Sequence, residues 1–195
     1  MSATENSVDA NSKLIHDIKL GRPLDYSFKS LRTLSKLGDE KPRSLRVRGV
    51  PDRGPQKKFI CGAIWLNNNN LTILNGLKSF VDDLIELPMH LSWLDLSFNE
   101  FARVDEEILY FKNLRILYLH GNHLKDLREV AKLKELPNLR SLTLYGNLVS
   151  RICHYRGYVL AYLPQISSLD FTKITRQERL AVTPAGTNQE ILASF

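Results

Sequence analysis

Apolar residues recur in one fixed spacing between residues 61 and 149, and the spacing occurs four times. In each copy apolar side chains take positions one, four, six and eleven, and asparagine takes position nine. The copies are Cys61, Ile64, Leu66, Asn69, Leu71; Leu91, Leu94, Leu96, Asn99, Phe101; Leu114, Leu117, Leu119, Asn122, Leu124; and Leu139, Leu142, Leu144, Asn147, Val149. The last three begin at residues 91, 114 and 139, so they are 23 and 25 residues apart. This pattern predicts a chain of similar structural units.

Each copy predicts a short strand, because residues two apart on a strand face the same side. Leu94 and Leu96 are therefore predicted to point inward, and Trp93 and Asp95 outward. The spacing is that of the leucine-rich repeat. It predicts an α/β solenoid with a short parallel β-sheet on its concave face and helical returns on its convex face.

The repeated asparagines come where the chain turns out of each predicted strand. A buried side-chain amide can bond backbone groups that no regular ladder reaches. We therefore predict a structural role for Asn69, Asn99, Asn122 and Asn147.

Both ends of the array carry atypical units. Ile166, Leu169 and Phe171 repeat the strand pattern without the asparagine, and residues 155–164 predict an amphipathic helix stopped by proline. Such a unit would cover the open core of a solenoid as a carboxy-terminal cap.

At the other end, apolar residues at three-residue steps predict an amino-terminal cap helix with Asp25 or Ser27 as its N-cap; they are Phe28, Leu31, Leu34 and Leu37. A docking helix for another protein is the alternative. The predicted organisation is an arm over residues 1–58, a solenoid with its cap over 59–180, and a tail over 181–195.

The net charge of +6 lies entirely in the arm. Residues 1–58 hold 13 Lys and Arg against 7 Asp and Glu, whereas residues 59–195 hold 14 of each kind. Most of the excess lies in a segment that we call the basic strap: Lys41, Arg43, Arg46, Arg48, Arg53, Lys57 and Lys58. Its glycines and prolines predict an extended or flexible segment and argue against a helix. An acidic protein surface such as a microtubule, nucleic-acid phosphate, anionic lipid or solvent alone could face it.

Large aromatic residues occupy outward positions of the predicted strands. Because the curvature of a solenoid gathers these positions on one concave face, we predict a partner-binding site there. Its residues are Trp65, Trp93, Asp95, Tyr118, His120 and Tyr145. The alternative is that the arm or tail of the same chain covers them.

Sequence motifs for catalysis are lacking. The chain has no phosphate-binding glycine loop, no Gly-x-Ser-x-Gly elbow and no zinc-spaced cysteine set. His120 and His123 are three residues apart, but the turn between them argues against a shared metal ion. We therefore expect neither enzymatic activity nor a metal, cofactor or small-molecule substrate.

The sequence also bears on location. It has no run of 18 apolar residues and no secretory signal pattern, which predicts a cytoplasmic protein. Cys61 and Cys153 are far apart in the array, so we predict that both are reduced packing residues.

Several segments resemble one family of cytoplasmic leucine-rich repeat proteins of ciliated organisms. They are Pro23-Leu24-Asp25-Tyr26-Ser27-Phe28, Ile64-Trp65-Leu66-Asn67-Asn68-Asn69, Trp93-Leu94-Asp95-Leu96-Ser97-Phe98-Asn99, Leu117-Tyr118-Leu119-His120-Gly121-Asn122, residues 136–144 and residues 155–160. The resemblance spans about residues 23–180 and implies a non-catalytic structural or adaptor protein of the ciliary or flagellar axoneme, with axonemal or microtubule-associated partners.

Two other classes share the repeat arrangement. Regulatory subunits of protein phosphatases grip a catalytic partner, and a spliceosomal leucine-rich repeat protein holds an RNA-binding partner. The balanced charge of residues 59–195 argues against direct contact with nucleic acid.

Overall fold

The computed structural model describes residues 21–34, 40–46 and 49–182, which include a curved β-sheet of seven strands in chain order. Strands β1 to β6 are parallel to one another, and β7 is antiparallel to β6. The strands are β1 (Leu24–Asp25), β2 (Ala63–Trp65), β3 (Trp93–Asp95), β4 (Ile116–Tyr118), β5 (Ser141–Thr143), β6 (Ser168–Leu169) and β7 (Thr172–Lys173).

The register of the sheet aligns the repeat positions into columns. Ile64, Leu94, Leu117 and Leu142 pair in sequence across β2 to β5, and all four are fully buried. Their neighbours on each strand therefore face the opposite, concave side. The alternation predicted from the repeat spacing is confirmed.

Helical segments return the chain from one strand to the next. The α-helices of the described residues are α1 (Leu77–Leu84), α2 (Leu127–Ala131), α3 (Tyr155–Tyr162) and α4 (Arg176–Ala181). Short 3₁₀ segments add Pro88–His90, Glu106–Tyr110, Lys132–Glu135 and Leu148–Arg151. The predicted solenoid fold, with a parallel sheet on one face and helical returns on the other, is confirmed.

The repeated asparagines connect neighbouring coils of the solenoid. Asn122 Nδ2 donates to the carbonyls of Leu96 and Leu119, at 3.0 and 2.9 Å, and Asn122 Oδ1 accepts from the backbone N–H of Phe101 at 3.0 Å. Asn69, Asn99 and Asn147 make the equivalent bonds. Each amide thus bonds backbone groups of its own coil and of the coil before it.

Residues 24–34 form a first coil of the solenoid and contain no helix among the described residues. Strand β1 pairs with β2, and Tyr26, Leu31 and Leu34 are buried in the same core as the repeats. The helix predicted from Phe28 onward is therefore absent as far as residue 34, and Leu37 lies outside the described residues. The three-residue spacing arises because Leu31 and Leu34 each enter the core from a non-helical coil. The sheet therefore begins, with β1, inside the segment predicted as an arm.

The described parts of the basic strap, residues 40–46 and 49–58, consist of turns and isolated β-bridges. Arg43 forms an antiparallel bridge with Asp25, and Arg53 forms one with Phe59. Lys58 Nζ donates to the Asp82 carbonyl at 2.6 Å, in the last turn of α1, where a cation complements the helix dipole. No helix lies in these described parts.

The carboxy-terminal end of the core is closed by α3 and α4. Thr175 and Glu178 form a capping box at the start of α4. Glu178 also accepts from Arg156 Nε at 2.5 Å, and this bond, together with those from Thr175, lowers the pKa of Glu178 to about 2. Tyr155 donates to Asp170 at 3.0 Å, which ties α3 to the end of β6.

Both cysteines are free. Cys61 is buried in the core, where burial raises its pKa to about 12. Cys153 is exposed and is not a packing residue, since it lies on the surface turn before α3. No helix in the described ranges is both long and apolar enough to cross a bilayer.

Candidate functional site

A row of aromatic rings crosses the concave face of the sheet. Trp65 contacts Trp93 with ring centroids 5.4 Å apart, Trp93 contacts Tyr118 at 5.8 Å, and Tyr118 contacts Phe171 at 5.2 Å. Each contact is edge to face, the geometry that aromatic pairs favour. Because the rings shield one another, Trp65, Trp93 and Tyr118 are each half-buried.

His120 organises the end of the row near the carboxy terminus. Its ring stacks on Tyr145 at 4.5 Å and meets the edges of Phe98 and Phe171 at 5.0 and 5.7 Å. Nδ1 of His120 lies 2.7 Å from the hydroxyl of Thr143. The rings of Trp65, Trp93, Phe98, Tyr118, His120, Tyr145 and Phe171 together form what we call the concave aromatic surface.

The sequence predicted His120 as a residue that contacts a partner, but the side chain is only 6% exposed. Burial lowers its pKa below the ordinary value of 6.5, and the nearby Asp95 and Asp170 only partly oppose this shift. A neutral, buried imidazole therefore supports the exposed ring of Tyr145. The surface offered to a partner is that of the tyrosine.

Three exposed phenylalanines have a left-handed backbone: Phe28, Phe98 and Phe171, with φ of 56°, 51° and 60°. This conformation is an outlier for a bulky residue and persists only where the surrounding structure imposes it. Asn68 and Gly121 occupy the position of Phe28 and Phe98 in other coils, where the conformation costs less. Strain kept at exposed aromatic residues points to a contact surface.

Sequence reasoning missed these phenylalanines as site residues, although a signal for two of them was present. Residues 24–28 read Leu-Asp-Tyr-Ser-Phe, and residues 94–98 read Leu-Asp-Leu-Ser-Phe. In both copies Oδ1 of the aspartate accepts from the serine backbone N–H, at 2.9 or 3.0 Å, and from the serine hydroxyl at 2.6 Å. The matching letters therefore mark matching turns at the ends of β1 and β3.

Gly121 makes room for the ring of Phe98. Its φ is +66°, and a Cβ added there would lie 2.6 Å from Cδ1 of Phe98. We expect Gly121→Ala to lower the free energy of unfolding by about 2 kcal/mol, combining the cost of left-handed alanine with displacement of the ring. Urea unfolding of the variant measures this change.

A double-mutant cycle isolates the contribution of that contact. In a Phe98→Ala background the same Gly121→Ala change should cost only about 1 kcal/mol, since the backbone cost remains and the clash is gone. An equal cost in both backgrounds would show that Phe98 does not rest on Gly121.

Aspartates lie among the aromatic residues on the first strands. In the sheet register Trp65 stands between Asp25 and Asp95, and Asp95 stands opposite Tyr118. Burial raises the pKa of Asp95, whereas its bonds from Ser97 and the charge of Arg46 oppose the rise. The concave face therefore combines rings with partly desolvated carboxyl groups.

The structure divides the basic strap between two places. Arg46 lies over the rings of Trp65 and Phe28, 5.5 and 5.6 Å from their centroids, and so reaches the concave aromatic surface. Arg53 covers Phe59 at 4.0 Å, away from that surface and beside the end of α1. Lys41 and Lys57 are exposed, and Arg48 lies outside the described residues.

The described residues offer no arrangement for metal chemistry. Within them, no three His, Cys, Asp or Glu side chains form a group that could hold a metal ion. His123, predicted not to share a metal with His120, instead places Nε2 2.6 Å from Glu100 on the exposed turn. The geometry of the concave face is that of a binding surface.

Comparison with known proteins supports the assignment of the repeat. A leucine-rich repeat family model matches residues 61–189. Leucine-rich repeat-containing protein 51 of Bos taurus is 45% identical over 157 residues, covering 80% of this chain and 81% of that protein. The Homo sapiens protein of the same name is 43% identical over the same shares. U2 small nuclear ribonucleoprotein A′ of Saccharomyces cerevisiae is 33% identical over 115 residues, covering 58% of this chain and 44% of that protein.

A solved structure has the same fold. The crystal structure of the Drosophila melanogaster SNF/U2A′ complex contains a chain that superposes with a TM-score of 0.64 at 23% identity, covering 94% of this chain and 97% of that chain. The matching family model and the extent of the sequence relatives establish that the chain belongs to the leucine-rich repeat family, within the group of leucine-rich repeat-containing protein 51.

Proposed function

We propose that this protein is a non-catalytic scaffold that holds a partner protein on its concave aromatic surface, as a structural adaptor of the ciliary or flagellar axoneme. The leucine-rich repeat assignment supports the role of an interaction scaffold. One observation carries the choice of surface: Tyr145, Phe98 and Phe171 are 40%, 48% and 58% exposed on a continuous row of rings. Large exposed aromatic residues in one patch are typical anchors of protein interfaces.

The axonemal placement rests on the resemblance to a family of ciliated organisms and on the basic strap. Lys41 and Lys57 leave cations exposed at the amino-terminal end of the solenoid. Such a patch complements an acidic surface of the kind that a microtubule presents. In this arrangement the strap faces the filament while the concave aromatic surface holds a second axonemal protein.

Partner capture tests the choice of surface. Exchange of Trp65, Trp93, Tyr118 and Tyr145 for serine should abolish recovery of partners by tagged protein from a ciliary extract, because the row of rings is removed. Tyr110→Ser is a matched control, since Tyr110 is equally exposed at 40% but belongs to a helical return.

A variant with fewer changes separates loss of binding from loss of folding, which the fourfold exchange could cause. Phe98→Ser with Tyr145→Ser changes only exposed rings and should lower recovery at least tenfold, the loss of about two interface anchors. Circular dichroism checks that the fold is retained. Unchanged recovery by this folded variant would move the interface to another face.

Extraction of isolated cilia tests the location. Detergent removes the membrane and matrix, a salt wash removes loosely held protein, and mass spectrometry identifies what remains with tagged protein on the microtubule core. Retention with axonemal proteins supports the proposal. Recovery in the cytosol with a phosphatase catalytic subunit would overturn it in favour of phosphatase regulation.

An RNA–protein complex is the second candidate function. It is favoured by the 33% identity to U2 small nuclear ribonucleoprotein A′ of Saccharomyces cerevisiae. In this function too the chain would hold a protein, since the charge of residues 59–195 is balanced. Recovery of an RNA-binding protein whose attachment resists nuclease treatment would support this function over the axonemal one.

A further inference from the structure

The two Leu-Asp-x-Ser-Phe segments build two similar environments on the concave face. In the first, Asp25 and the exposed ring of Phe28 lie beside Trp65 of the next strand. In the second, Asp95 and the exposed ring of Phe98 lie at the end of β3, where Asp95 stands opposite Tyr118. Each environment therefore contains a carboxyl group, a buried serine, an exposed phenylalanine and an aromatic residue from the following strand; Asp25 is fully buried, whereas Asp95 is partly exposed.

The first environment is already occupied by an arginine of the same chain. The guanidinium of Arg46 lies over both Phe28 and Trp65, and Nη1 of Arg46 donates to the hydroxyl of Ser27 at 3.1 Å. Arg43 lies over Phe28 as well, at 5.9 Å. Arginine is suited to such a place because its planar group stacks on rings while it donates hydrogen bonds.

Among the described residues no cation lies over the rings of the second environment, and the charge of Arg46 reaches Asp95 from its place over Trp65. None of the cation–ring contacts found there involves Phe98 or Tyr118. The bonds to Asp95 from Ser97 use Oδ1, which leaves Oδ2 without a donor in the described part of the chain. The second environment thus offers an exposed ring and a carboxylate oxygen, and the ring of His120 packs there against Phe98 and Tyr118, with centroids 5.0 and 5.9 Å away.

We infer that the partner places an arginine over Phe98 and Tyr118, on the solvent side of His120, where it pairs with Asp95. In the first environment Arg46 likewise lies over Phe28 and Trp65 and bonds Ser27. This inference rests on the proposed function and names the chemistry of the partner: an arginine-bearing, basic segment of a protein. Asp95 supplies the charge, and the rings supply the stacking platform. A negatively charged segment is repelled from this place by the same carboxylate.

Peptide binding to the full chain tests the inference. The probe is acetyl-Gly-Gly-Arg-Gly-Gly-amide, and nuclear magnetic resonance of isotope-labelled protein measures its binding. The two indole N–H signals are the reporters, since the chain has 2 tryptophans and both lie on this face. The arginine peptide should bind about tenfold more tightly than its citrulline counterpart, which has the same shape without the charge. Equal binding of the two peptides would overturn the inference.

Substitutions locate the site. Asp95→Asn should weaken binding of the arginine peptide about fivefold, as expected for loss of one charge partner near the surface. Asp83→Asn removes the same charge from an exposed position on α1 and should leave binding unchanged. Equal effects of the two variants would mean that the peptide responds only to overall charge.

Arg46→Ala provides the most specific test. It frees the first environment, so the number of arginine peptides bound should rise from one to two, with new shifts at Phe28 and Trp65. A stoichiometry that stays at one would refute the equivalence of the two environments.

The outcome is separable from that of the proposed function. If the arginine peptide shows no preference while Phe98→Ser with Tyr145→Ser still loses its partner, the concave surface binds a partner of different chemistry. If the peptide binds as expected but that variant keeps its partner, the arginine site exists and the proposed interface is wrong.

Discussion

Replacement of Asn122 by alanine should lower the free energy of unfolding by about 3 to 5 kcal/mol, although the asparagine touches no candidate partner. Its amide bonds the carbonyls of Leu96 and Leu119 and the N–H of Phe101, all in the interior between two coils. Alanine removes these bonds and leaves buried backbone groups unpaired, at about 1 to 3 kcal/mol each. Chemical unfolding followed by circular dichroism measures the difference.

Asn70→Ala is the control for this prediction. Asn70 is exposed and follows the asparagine of its coil directly, and its backbone N–H donates to the carbonyl of Leu31. Its replacement should change stability by less than about 0.5 kcal/mol. Similar losses for Asn70→Ala and Asn122→Ala would remove the asparagine ladder as the explanation.

The fold could be predicted because the same pattern of residues occurs four times in the sequence. The spacing of Leu94, Leu96 and Asn99 encodes strand, core and turn at once, and a solenoid needs only contacts between neighbouring units. No long-range pairing had to be guessed. The order of the strands in the sheet therefore follows directly from their order in the chain.

The first coil escaped prediction because it lacks an asparagine of its own. Lys29 stands where Asn69 stands in the next coil. The amide of Asn69 supplies the missing bonds, since its Oδ1 accepts from the N–H groups of Lys29 and Leu31, and its Nδ2 donates to Tyr26. A terminal coil can therefore lose the signature residue, and the spacing alone no longer identifies it.

The candidate site was predictable in part. Alternation along the strands places Trp65, Trp93 and Tyr118 on the concave face, because side-chain direction follows from strand geometry. Local alternation carries no information on which rings shield one another. The burial of His120 arises from packing between coils, and the contact of Arg46 with Trp65 joins segments 19 positions apart, so both required the structure.

Tyr26→Ala should lower the free energy of unfolding by about 3 to 5 kcal/mol, the usual cost of removing a large aromatic side chain from a core. Tyr26 is 1% exposed and packs edge to face on Phe80 of α1, with ring centroids 5.6 Å apart. The same coil offers Phe28→Ala as a control; Phe28 is 55% exposed and strained, so its loss should cost less than about 0.5 kcal/mol. Thermal and urea unfolding of both variants measure these values. A cost below about 1 kcal/mol for Tyr26→Ala would show that residues 24–34 behave as a separate arm. The expected loss in a single cooperative transition would show that they belong to the solenoid, because only a coil that shares the core destabilises the repeats when it is weakened.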